Sequence, residues 1–351
     1  IRFKPEIEME YVYYYHQTDN PILDRQFPKL NAEQRLDTLR KFNKWNFEIL
    51  PYEAIKKRVD LSSENYRFVR VLERDNGRKT FLRVYDDMQR VPMESEISAA
   101  IKRLVMDELP VVGFVSGHGE RNSNSTQDRG YKTITQEKAF RYSMINQGFD
   151  FKELDLSKPV PENINILIIA EPRQAYNEQE LSNLHAYIAS GRNMMLAGEP
   201  GQEAIFNRIA APLGVSLEPG VLVKKQEALQ PDLLTLKPTQ AGEDFSYYLK
   251  PMARREEVVT LLGTAGILVS PQSPFQSKVL FASDTTGTWN ELDNLNFIDS
   301  RPVLNIAAGE REGSRPTVVA LSRKVGKKEQ KILVTGDADW ISNSELFIKR
   351  N

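Results

Sequence analysis

"INILIIA", Ile164–Ala170, decides the fold. It is a short, nearly continuous apolar run rich in isoleucine, too short for a core helix and bounded by polar residues. Such a run reads as a strand buried on both faces, as in a parallel sheet covered by helices. The flanking sequence supplies the helices. C-terminal to it, "NEQELSNLHAYIASG" (177–191) opens with Asn177 and Glu180 at capping-box spacing and closes on Gly191. "NMMLAG" (193–198) reads as the next strand and "QEAIFNRIAAPLG" (202–214) as the next helix. N-terminal to it, "VVGFV" (Val111–Val115) is a second buried run, followed by a polar loop from Ser116 to Gly130. Thr133 and Gln136 then form another capping-box pair. Phe140 and Met144 share a helical face, and Gly148 is placed to end that helix. "DFKELDL" (150–156) alternates as a strand, and "KILVTGDADW" (331–340) returns to a buried strand that ends in a polar turn.

Strands alternating with helices over short joins predict an α/β fold, a doubly wound and mostly parallel sheet with right-handed crossovers. Between about residues 217 and 330 the periodicity weakens. Short β-like runs at 258–263, 277–283 and 317–323 predict a β-rich insertion that extends the sheet in mixed or antiparallel fashion. Residues 1–108 form a separate block. They read as a strand ("IEMEYVYYY", 7–15), a helix ("NAEQRLDTLRKFNKW", 31–45, with Asn31 as N-cap), a hairpin (66–87) and a second helix (94–109). The hairpin turns at Asn76-Gly77, the pair that favours a type I′ turn. Ile97, Ile101, Leu104 and Val105 make one apolar stripe on the second helix. The expected organisation is a small α+β domain over 1–108 and a sheet domain over 109–351.

The 351 residues carry 47 basic and 48 acidic side chains, a net charge of -1, so no basic surplus points to nucleic acid. There is no cysteine, which excludes disulfides, thiolate zinc sites and cysteine nucleophiles. No stretch approaches the roughly 20 apolar residues of a membrane span. The chain opens at Ile1 and stops at "FIKRN", and we read it as a piece of a longer polypeptide.

In an open α/β sheet, ligands bind beyond the carboxyl ends of the strands. The polar residues expected there are Ser116, His118 and Glu120 after the first strand, Glu171 after the third, Glu199 after the fourth, and Asp337 and Asp339 after the last. Histidine with carboxylates is a common metal or acid–base set. The same residues also serve where buried strands exit into turns, with Asp337 and Asp339 bonding nearby backbone N–H groups. Turn or partner-facing loop, ligand or metal site, and catalytic site all stay open at this point, with the turn reading the better supported. Enzyme motifs are broken. "GHGERN" ends on Asn122 where a dinucleotide fingerprint needs glycine, and "GEPGQEA" lacks the G-K-[ST] of a phosphate loop. No H-E-x-x-H and no G-x-S-x-G is present. His185 reads as a core-edge histidine of its helix, and His16 as an exposed strand end.

"VVGFVSGHGE", "INILIIAEP", "YIASGRNMMLAGEPG" and "ILVTGDADWISN" together resemble the auxiliary component of bacterial ABC transporters of the gliding-motility type, a family also described as an uncharacterised ABC transport system domain. The resemblance covers roughly residues 111–343, and the first block looks like the region that precedes it. It implies an extracytoplasmic domain at the inner membrane, tethered through segments outside this chain and working with ABC-2-type permease and ATPase subunits. It also implies a sheet akin to glutamine-amidotransferase-like, flavodoxin-like and intraflagellar-transport domains. Amidotransferase relatives that catalyse need a cysteine that this chain lacks. The expectation is therefore a non-catalytic accessory or binding domain of an export system, without a cofactor. The alternative is a metal- or carbohydrate-binding hydrolase-like domain using His118, Glu120, Asp337 and Asp339. An orphan cytosolic small-molecule-binding protein is a third reading.

Overall fold

A computed structural model of the chain describes residues 8–16, 20–85, 87, 89, 91–293 and 296–348. Ile7 of the first expected strand, Asp86 of the expected hairpin and residues 349–351 of "FIKRN" lie outside the described residues. The chain divides into two compact units, residues 1–72 with 81–84 and residues 73–80 with 85–351. The smaller unit ends before the expected boundary at 108. The reason is the helix α1, Glu94–Val105, which packs within the larger unit. Its buried face is Glu96, Ala99, Ala100 and Leu104 rather than the expected isoleucine stripe; Ile97, Ile101 and Val105 are exposed. Two alanines let the helix approach closely, with Gly148 against the Ala99 side chain. Arg103 donates to the carbonyls of Ile145 and Phe149, and Arg141 pairs with the buried Glu96.

In the smaller unit, Tyr14–Tyr15 pairs in parallel with Leu50–Pro51, and a helix runs from Ala32 to Asn43 with Asn31 and Gln34 closing its capping box. Tyr52, Ile55 and Leu61 form its buried cluster. His16 is not a free strand end: its ring stacks on Tyr66 at 3.6 Å. The hairpin joins Val69–Glu73 to Lys79–Arg83, but its turn is not type I′. Only Gly77 has positive φ (81°); Gly77 N–H bonds to the Arg74 carbonyl and Arg74 N–H to that of Arg78. This is a longer loop in which glycine supplies the left-handed position.

The larger unit is a mixed α/β structure around a seven-stranded, mostly parallel sheet. Its strands are β1 (Val111–Val115), β2 (Asp150–Leu154), β3 (Ile164–Ala170), β4 (Asn193–Ala197), β5 (Gln276–Ala282), β6 (Pro316–Val325) and β7 (Lys328–Thr335). The spatial order is β5-β6-β7-β4-β3-β1-β2. From β2 to β7 all neighbours are parallel, while β5 and β6 extend the sheet antiparallel. Both faces of β3 are buried, as its apolar run requires. Ile164, Leu167 and Ile169 enter one core with the helices α3 (Glu178–Ala189) and α4 (Glu203–Ala210). Ile166 and Ile168 pack in the other with Val112, Phe114 and Tyr131.

Asn177 and Glu180 form the expected capping box on α3, whose His185 is exposed rather than at the core edge. The expected helix from Thr133 is cut short: α2 covers only Lys132–Gln136, and turns follow to Gly148. Thr133 does not cap it. Its N–H instead bonds to Asn343 Oδ1, and the Met144 N–H returns to the Ile134 carbonyl. A long-range partner thus replaces the local cap. The remaining insertion forms three antiparallel pairs, 215–217 with 267–269, 221–224 with 288–291, and 233–236 with 259–262.

Candidate functional site

β1 and β3 are neighbours, and β2 lies on the far side of β1, so the strand order reverses between β1 and β3. Loops leaving such a pair diverge and open a crevice at the carboxyl ends. The residues expected at this edge fall into two groups, with Ser116 in neither. The Ser116 hydroxyl is 3.5 Å from the Leu154 carbonyl on the β2 side. Among the described residues it makes no hydrogen bond to His118.

The first group holds the start of α3. The His118 carbonyl accepts the N–H groups of Arg173 and Gln174. Its ring lies on Tyr176, with Nε2 3.3 Å from Glu180 and Nδ1 3.9 Å from Glu120. Glu120 is almost wholly buried and receives the Tyr176 hydroxyl and the His118 N–H. Burial, reinforced by the Glu120 charge, pushes the Tyr176 phenol well above its ordinary range, so it stays a donor. This group fastens the β1 loop to the β3 loop across the crevice. Glycine is required here: Gly119 has φ 81°, and an added Cβ would stand 3.1 Å from Arg173 Cβ.

The second group surrounds Arg121, which is 5% exposed. Its backbone N–H bonds to the Ala170 carbonyl at the end of β3. Its guanidinium lies 2.5 Å from Glu171, 3.1 Å from Glu199 and 2.7 Å from Asp339. Arg129 and Arg173 reach the same Glu171 at 2.7 and 2.9 Å. Asp337 is fully buried behind them and accepts the N–H groups of Leu262 and Asp339. Tyr131, with no exposed surface, donates to the Ala338 carbonyl at 2.5 Å.

The carboxylates differ in charge because they share the cations unequally. Burial alone raises Glu171, but the Arg129 hydrogen bond and the Arg121 charge prevail and hold it below its ordinary value. Glu199 has Arg121 alone, shared with two other carboxylates. Burial first, and then the Asp339 charge, push it up to about 7. Burial and the Glu199 charge raise Asp337 well above the carboxylate range.

Glu199, Asp337 and Asp339 offer oxygens within 4.8 Å of one another, a donor set a divalent cation would accept. The Arg121 guanidinium already stands against two of the three and serves as their counterion. Arg121, Arg129, Arg173, Tyr131 and Tyr176 were absent from the expected set. The signal for Arg121 was electrostatic: several acids converging on one buried edge require a cation, and Arg121 directly follows Glu120 in the exit loop.

Residues 109–249 match the family described as ABC-type uncharacterized transport system. No curated protein matches. Among solved structures, the mmIFT52 N-terminal domain is similar at 14% identity, over 68% of this chain and 90% of that one, with a TM-score of 0.46. An exo-beta-1,4-mannosidase from Opitutaceae bacterium strain TAV5 is similar at 10% identity, over 72% of this chain and 35% of that one, with a TM-score of 0.35. A ThuA-like protein from Parabacteroides merdae is similar at 8% identity, over 65% of this chain and 79% of that one, with a TM-score of 0.33. Among the described residues no helix is long and apolar enough to cross a membrane.

Proposed function

We propose that this chain is a non-catalytic binding and assembly module of an ABC-2-type export system of the gliding-motility kind. It works on the periplasmic face of the inner membrane beside permease and ATPase subunits, held there by segments outside this chain. The family match on residues 109–249 supports the link to transport. The rank order of the parallel strands, 2-1-3-4-5, supports a flavodoxin-like reading of the sheet. The observation that carries the non-catalytic part is the set of ion pairs and hydrogen bonds that the chain makes to itself across the β1/β3 exits. Arg121 pairs with the acids there, and His118 ties the two loops together. A catalytic site needs room for a reacting atom beside its nucleophile or base. Here the carboxylates face guanidinium groups, and binding is left to the outer surface.

The test is fractionation of cells expressing the full-length gene product, with protease added to intact spheroplasts, followed by co-purification. Membrane association, digestion of this segment from outside, and recovery with permease and ATPase subunits are expected. A soluble, protected protein with no such partners overturns the reading. The proximity of Glu199, Asp337 and Asp339 favours one second reading, a metal- or carbohydrate-binding hydrolase-like domain. Calorimetry against divalent cations separates the two. Binding that is lost in Asp339→Asn supports the second, and the absence of binding removes it.

A further inference from the structure

We propose that Arg129 and Arg173 form the rim of an oxyanion-binding site, for a carboxylate or phosphate group carried by a partner, and that the Glu171 carboxylate holds this site in the resting chain. The inference goes beyond the transport reading and stands without it, because it rests on three guanidinium groups converging on one side chain. Glu171 Oε1 accepts Arg129 Nη2 at 2.7 Å and Arg173 Nε and Nη2 at 3.1 and 2.9 Å, while Oε2 lies 2.5 Å from Arg121 Nε. A single carboxylate cannot use three planar forks fully. Among the described residues, Arg129 Nε and Nη1 and Arg173 Nη1 donate no hydrogen bond, the nearest approach being 3.6 Å from Arg129 Nη1 to Asp339. Fork-shaped donors of this kind match carboxylate and phosphate oxygens in pairs.

Exposure is graded in the way a docking rim requires. The Arg129 and Arg173 side chains are 49% and 51% exposed, whereas Arg121 and Glu171 beneath them are 3% and 6% exposed. The outward chemistry of the edge is therefore guanidinium, with the acids below. Glu171 is also held in a left-handed backbone conformation, φ 50°, that a side chain rarely adopts. Such strain persists only where the surroundings impose it. Here it presents the carboxylate to all three arginines. The place is the strand-order reversal between β1 and β3, where doubly wound sheets receive anionic ligands.

The test is isothermal titration calorimetry of the full chain at low ionic strength, with inorganic phosphate in one arm and succinate in the other. Saturable binding in the millimolar range is expected. The tighter probe identifies the source, a phosphate-bearing group or an acidic peptide segment. Arg129→Gln and Arg173→Gln should each weaken binding by about tenfold. Glu171→Gln removes the resident anion and should tighten it. A merely structural network would show no such opposite signs. If Glu171→Gln fails to fold in a thermal melt, the two half-exposed arginines still decide the matter. No saturable heat with either probe, or binding unchanged in both arginine variants, overturns the proposal.

Discussion

Glu199→Gln should make the protein more stable in mildly alkaline buffer and leave it nearly unchanged in mildly acidic buffer. The carboxyl of Glu199 is pushed from 4.5 up to about 7 by burial and by the Asp339 charge, against the opposing pull of Arg121. Its folded value lies above its unfolded value, so folding favours the protonated form. The contribution is fully present below the unfolded value and is lost as pH rises through the folded one. The shift corresponds to roughly 3 kcal/mol between the two ends of that window. Glutamine keeps the neutral shape, and its carbonyl oxygen can still accept the Ala338 N–H and Arg121 Nη2, which Glu199 Oε1 meets at 3.0 and 3.1 Å. Urea unfolding of wild type and variant at about pH 5 and about pH 8 measures the difference. The variant should gain up to about 3 kcal/mol at the higher pH, with part of the effect shared by Asp337, which the Glu199 charge also raises. A variant less stable than wild type by the same margin at both pH values would refute the reasoning. It would mean that attraction to Arg121 exceeds the penalty of burying the charge.

Arg121→Met leaves Glu171, Glu199 and Asp339 without their shared buried cation. It should cost about 3–5 kcal/mol and lower the midpoint of a thermal melt by roughly 10 °C, with partial recovery in acid. Asn177→Ala removes the side chain that caps α3 at the Glu180 N–H, 3.0 Å away, and should cost about 1 kcal/mol in urea unfolding. Gly336→Ala would place a Cβ 2.0 Å from the Ala265 carbonyl oxygen, backbone that cannot move aside. A loss of about 3 kcal/mol or more is expected, whereas Gly326→Ala, with nothing within 4 Å, should show only the smaller strain of its positive φ.

The sheet was legible because its signal is local. The run at 164–170 has no amphipathic alternative, and the observed strand coincides with it residue for residue. The α3 cap was equally local, Asn177 and Glu180 being three residues apart. Errors arose where distant partners decided. The helix expected from Thr133 ends at Gln136, and the Thr133 N–H finds its acceptor in Asn343, at the other end of the domain. The α1 stripe was misassigned because its alanines, not its isoleucines, meet the sheet domain. Pattern reading favours the larger apolar residue, but close packing favours the smaller one wherever backbone must approach backbone.

The candidate site was legible as a list of exits, not as a network. Strand ends locate Glu171, Glu199, Asp337 and Asp339 with only the topology in hand, yet those four acids could not share a buried edge alone. Their mutual repulsion in a poorly solvated place would protonate them or expel them. Arg121 resolves this and, in doing so, changes what the edge can do. A carboxylate cluster facing open space would invite a metal ion or act on a proton. The same cluster closed around a guanidinium is neutralised from within, and the half-exposed cationic groups it carries at its outer side are Arg129 and Arg173. The groups of the edge that face outward are thereby guanidinium, as the binding role proposed above requires. That is the arrangement a binding module needs, and it makes the response of the Arg129–Arg173 rim to anions the most informative property of this domain.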